Sequence, residues 1–216
     1  MKKYFIYLTI LINLVVFYSF GQAIEDVGKI IKKVQNKYKK IDLLHADFKQ
    51  VNRFQLTNIQ TEVFGSIWIS KDNKFRFETE DQTIVSNGEI FWRYNKLEGQ
   101  VLIDHAQKTQ QDVFLNNFLF NISDYYTGQL VSESKLNSKK IYEIRLTPKT
   151  ADDSFFRFIK VWIYDDSWDL EKVIYTDFNE NEVEYQIEKI DLNPSVTKSI
   201  FEFNAPEGAE VVDLRF

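Results

Sequence analysis

The segment EVEYQIEKI, residues 182–190, carries the cleanest alternation in the chain. Val183, Tyr185 and Ile187 fall on one side of an extended chain, and Glu182, Glu184, Gln186 and Glu188 on the other. A two-residue period of this kind predicts a strand with one covered face and one wet face. LLHADFKQV (43–51) alternates in the same way. Strand-like runs follow at about 62–70, 74–79, 82–86, 89–95 and 100–104. They resume at about 128–134, 139–147, 156–164 and 170–178, and a short piece lies near 200–204. Asn87-Gly88 and NENE (179–182) mark hairpin turns between them.

Two segments break this rhythm. Residues 23–41 place Ile24, Val27, Ile31, Val34, Tyr38 and Ile41 at three- and four-residue steps, which predicts an amphipathic helix. Glu25 and Asp26 open it and Lys39 and Lys40 close it, as the helix dipole prefers. Residues 106–126 read as one or two short helices with a wide apolar surface that includes Phe114 and Phe118. Short strands joined by short turns, with no strand–helix alternation, predict one antiparallel sheet that curls into a barrel or half-barrel. No repeat or linker divides the chain.

GSIWISKDNKFRFE (65–78) complicates the simple pattern. Ile67, Ile69, Phe75 and Phe77 share a face while Trp68 points the other way. In 89–95, Ile90, Trp92 and Tyr94 share a face, and so do Tyr142, Ile144 and Leu146 in 139–147. A curved sheet gathers such groups on its hollow side, where helices can cap them. The expectation is a greasy pocket.

The ends and the charge narrow the setting. Lys2 and Lys3 precede an uncharged run over 4–24 that exits through Ser19, Gly21 and Ala23. This predicts a secretory signal peptide over 1–22, leaving one domain over 23–216. The run is also just long enough to span a bilayer as an anchor. Thr9, Asn13 and the small-residue exit favour cleavage. Loss of the two lysines takes the formal charge from −5 to −7, a balance that disfavours nucleic acid as a partner. The chain has no cysteine, hence no disulfide, no thiol chemistry and no site for its own lipidation.

Candidate chemistry is sparse. His45 and His105 share no motif, and no metal-ligand, nucleophile-elbow or phosphate-loop spacing occurs. Asp152-Asp153 and Asp165-Asp166 sit where turns are expected. The reading is of a protein that is not an enzyme and carries no cofactor or metal.

HADFKQV (45–51), GSIWISKDNKFRFE (65–78), IVSNGEIFWRYN (84–95) and FEFNAPEGAEVVD (201–213) stand in an order that resembles the periplasmic outer-membrane lipoprotein carrier family, LolA. The resemblance implies a mainly β fold with an α lid: a single curved antiparallel sheet of about 11 strands, forming an unclosed β-barrel capped by helices. It implies a monomer that takes acylated lipoproteins from an inner-membrane ABC lipoprotein exporter and hands them to an outer-membrane acceptor. Candidate cavity residues are Phe48, Ile67, Phe75 and Phe77, together with Trp68, Trp92 and Tyr94 in the sheet and Phe114 and Phe118 in the lid. In the family the turn after GxxWI commonly carries Arg-Pro, the arginine fastening the lid. Here Lys71 and Asp72 stand there. Lys71 is then the lid-tether candidate, without the planar fork of arginine. A rival expectation is a fixed periplasmic lipid- or polysaccharide-binding module that displays Trp68, Trp92, Trp162 or Trp168 outward.

Overall fold

A computed structural model describes residues 27–72, 74–106, 121–150 and 155–216. Phe114 and Phe118, most of the second helical segment, and the whole predicted signal peptide lie outside the described residues. Helix α1 covers 27–38 and a short helical turn, α2, covers 121–125. The strands are β1 (Leu43–Phe54), β2 (Ile59–Ser70), β3 (Phe75–Thr79), β4 (Gln82–Ser86), β5 (Ile90–Asn95) and β6 (Gln100–His105). After them come β7 (Tyr126–Leu136), β8 (Lys139–Pro148), β9 (Phe156–Tyr164), β10 (Leu170–Asp177), β11 (Glu182–Leu192) and β12 (Glu210–Asp213).

These form one twelve-stranded sheet in the order β12-β6-β5-β4-β3-β2-β1-β11-β10-β9-β8-β7. Every pairing is antiparallel except β12 with β6. Strands β12 and β7 end the sheet without meeting, so the barrel is unclosed. Turn residues do what their chemistry allows: Asn58, Asn137 and Gly99 take positive φ (53°, 50° and 64°) at three of the tight turns. At the Asn87-Gly88 turn the Asn87 carboxamide oxygen accepts the amides of Glu89 and Ile90.

The sheet bends hard toward one face. Phe77 and Tyr185 lie in β3 and β11, three ladder steps apart, about 14 Å on a flat sheet. Their ring centroids are 6.5 Å apart. A bulge contributes to the bend: Asp47 pairs with Lys189 but Phe48 with Ile187, leaving Glu188 as the extra residue. The main core fills this concave side and draws on α1, on strands β1 to β5 and on strands β7 to β11.

A second, smaller core lies on the outer face. Val85, Trp92 and Val101 are buried there, with Ile90, Tyr94, Ile103 and Phe203 packed around them. The C-terminal segment provides their cover. Tyr94 and Phe203 rings approach to 5.9 Å, and the Arg76 guanidinium donates to the Ile200 and Glu202 carbonyls at 3.3 and 3.4 Å. That changes two expectations. The piece near 200–204 is not a strand: Lys198–Phe201 is a 3₁₀ turn and the last strand is Glu210–Asp213. Trp92 and Tyr94 do not line the hollow, because Phe91 and Arg93 take the inward positions of β5. Three consecutive apolar residues, Ile90-Phe91-Trp92, permit either facing. The C-terminal cover decides between them.

Candidate functional site: an apolar concave face under a helix

The concave face is a continuous apolar sheet surface. Cross-strand register sets Ala46 beside Ile67 and Ile67 beside Phe77 on one wing. On the other it sets Tyr175 beside Ile159 and Ile159 beside Leu146. Strand β9, apolar on both sides in sequence, sends Ile159, Val161 and Ile163 inward, all buried. Its outward residues are covered by cations: Arg145 lies 3.9 Å from the Phe158 ring centroid and Lys172 lies 4.1 Å from that of Trp162.

Phe48 is the centre of the hollow. It stacks on Phe77 at 5.1 Å and meets the edge of Tyr185 at 5.3 Å. Gly65 makes this possible. It pairs with Phe48 across β1–β2, and a Cβ there would lie 2.7 Å from the Phe48 ring and 2.3 Å from the Glu78 carbonyl oxygen. The glycine of the GSIW motif is thus a seat for a ring.

A cavity of about 30 Å³ remains between these residues and α1, lined by Tyr38, Leu44, Phe48, Ile69, Leu170 and Ile190 among others. Burial pushes the phenols of Tyr38 and Tyr185 well above their ordinary values, so neither ionises in the hollow. The space is apolar and uncharged, and it is far smaller than an acyl chain.

Among the described residues, helix α1 covers most of this face, with Ile122 of α2 buried in the same core. Val27, Ile30, Ile31, Val34 and Tyr38 are all buried against the sheet. Its C-terminal half is fastened by polar contacts. Lys37 donates to the Ser167 carbonyl at 2.9 Å and pairs with Asp169. The Leu170 amide donates to the Tyr38 hydroxyl at 3.2 Å, and Lys33 sits 4.3 Å from the Trp168 ring centroid. Ser123 in α2 donates to Gln35 at 2.5 Å, joining the two helical pieces. The first turn of α1 rests on Gly128 of β7, where a Cβ would come within 2.6 Å of Ile31 and 2.9 Å of Val27. Gly128→Leu should therefore lift this end of α1. We expect a stability loss of about 1–3 kcal/mol in denaturant titration and increased uptake of an apolar dye.

The sequence candidates divide. Phe48, Ile67, Phe75 and Phe77 come together in the concave core. Trp92 and Tyr94 belong to the outer core. Trp68 stacks on His45 at 4.5 Å, opposite Arg76 on the outer side of β2. Lys71 is exposed and pairs with Asp42 at the α1–β1 junction, and this ion pair holds its ammonium above the ordinary lysine value. Sequence reading missed Tyr185, Tyr175, Leu170 and Ile190 as lining candidates. The period-two pattern of 182–188 could have found Tyr185; Ile190 turns inward only past the bulge at Glu188.

This architecture defines a class: half-barrels with an apolar hollow roofed by a helix. Residues 39–204 match the family described as outer membrane lipoprotein carrier protein LolA, and the chain belongs to that family. An outer-membrane lipoprotein carrier protein from Histophilus somni (strain 129Pt) is 26% identical over 219 residues, covering 100% of this chain and 99% of the relative. One from Legionella pneumophila (strain Lens) is 24% identical over 185 residues, covering 83% and 87%. Among solved structures, an uncharacterized conserved protein from Thermus thermophilus superposes with a TM-score of 0.58 at 12% identity. It covers 87% of this chain and 99% of its own, and supports the fold alone.

Proposed function

We propose that this protein is a non-catalytic periplasmic carrier that shields the acyl chains of lipoproteins and moves them from the inner toward the outer membrane. The observation that carries the reading is the unbroken apolar concave face, from β3 round to β8, roofed by a separate helix. The names of the related proteins point the same way.

The energetics explain why such a protein needs a roof. Each methylene kept from water contributes about 0.8 kcal/mol, so a chain of roughly sixteen carbons carries about 12 kcal/mol. A permanently open pocket with that affinity would not release its cargo. A cavity of about 30 Å³ has room for a water or two. Cargo therefore enters by displacing α1, and the apolar surface uncovered on α1 and the sheet offsets part of the gain. The predicted signal peptide would deliver the chain to the periplasm, with an inner-membrane exporter as donor and an outer-membrane protein as acceptor.

The tryptophans favour a carrier over a sugar platform. Trp68 lies on His45, Trp92 in the outer core, Trp162 under Lys172, and Trp168 against Tyr142 and Lys33. Trp92 is buried in that outer core, so it presents no open ring face to a sugar.

Displacement of a bound environment-sensitive dye by palmitate tests the proposal. We expect competition by palmitate and none by oligosaccharides. Dye that fails to bind, or that only sugars displace, would sink it.

A further inference from the structure

One end of the sheet is built from the β1–β2 and β10–β11 hairpin tips, and it is unusually greasy. Leu56 is 94% exposed, Phe178 59%, Ile59 54% and Phe54 44%. Phe155, just before β9 on the same end, is also exposed. Both tips are ordered turns and not frayed ends. Asn58 takes φ 53°, the Asp177 carboxylate accepts the amides of Asn179 and Asn181 at 2.8 Å each, and the Gln55 amide donates to the Asn181 carboxamide at 3.0 Å, joining one tip to the other. An exposed leucine forgoes about 1.5–3 kcal/mol available on burial. Several together at one end mark a contact surface.

The charges identify what it contacts. No charged residue occurs between Arg53 and Glu62. Behind this uncharged tip stand two ion pairs, Arg53 with Glu184 at 2.9 Å and Lys49 with Glu62 at 2.8 Å, while Arg157 pairs with Glu180 in the β10–β11 turn itself. Apolar side chains in front and paired opposite charges behind reproduce the order of a zwitterionic bilayer, hydrocarbon first and then headgroups. Acidic groups outnumber basic ones here, since Asp177 and Glu182 add to these pairs, which opposes anionic lipid. The apolar groups project from separate turns, which a fluid phase accommodates without matching pockets. We infer that this end of the molecule inserts shallowly into a zwitterionic bilayer surface, with Leu56 in the uncharged β1–β2 tip as its deepest point and Phe178 at its margin. The inference goes beyond the carrier reading. Membrane contact is measured without cargo, so either can fail alone.

The absence of cysteine allows a site-specific test on the full chain. Thr57→Cys carries an environment-sensitive fluorophore at the tip, and Lys135→Cys carries it near the opposite end, on β7. With phosphatidylcholine vesicles the Thr57 label should shift to the blue and the Lys135 label should not. Adding Leu56→Asp should weaken the Thr57 response about tenfold or more, with an unchanged circular dichroism spectrum. Replacing part of the lipid by phosphatidylglycerol should reduce the response. Labels that respond alike would overturn the inference, because the apolar N-terminal run would then account for binding. So would a response confined to anionic vesicles, or one that requires an added membrane protein.

Discussion

Phe48→Ala should cost about 3–5 kcal/mol, the range for removing a buried aromatic ring. In a domain of this size that lowers Tm by roughly 6–20 °C, readable by calorimetry or denaturant titration. The ring is almost wholly buried and touches both Phe77 and Tyr185. Its loss should also enlarge the hollow it shares with Leu170 and Ile190, so a small apolar dye should bind more tightly to the folded variant. A loss below 1 kcal/mol would mean that the ring is not the keystone of the concave face. A large loss of stability with no change in dye affinity would separate folding from binding at this position.

Gly65→Ala is expected to be nearly as severe despite adding one methyl group. The new Cβ meets the backbone oxygen of Glu78 at 2.3 Å, and backbone cannot swing aside as a side-chain tip can. Strands β2 and β3 must separate locally and the Phe48 ring must tilt, at a cost of about 3 kcal/mol or more. The two substitutions share a contact, so their costs should not add. In the Phe48→Ala background the clash with the ring disappears and the clash with Glu78 remains. The double variant should then be more stable than the sum of the single losses implies. Strict additivity would show that the ring and the glycine act independently.

The outline of this fold was legible because strands with one covered face announce themselves. β11 is the plainest case, and its only departure is the bulge at Glu188, which alternation cannot reveal. The inward set Ile67, Ile69, Phe75 and Phe77 followed from period alone. β5 did not, because Ile90, Phe91 and Trp92 are all apolar and the choice of side depends on residues more than a hundred positions later. Tyr38 was legible as a buried position on a helix. That its hydroxyl would accept the Leu170 amide was not, since that contact spans 132 residues. The role of Gly65 was equally hidden: a glycine in a strand pattern signals a close approach without naming what approaches.

Because β7 and β12 never pair, the sheet has no seam. A sealed barrel has a fixed girth and can widen only by tearing a ladder of hydrogen bonds. This one can change girth by flexing its twist, keeping every rung intact while its free margins move apart. On the proposed carrier reading, cargo of different bulk would be accommodated by elastic deformation of the backbone, with no requirement that any strand melt.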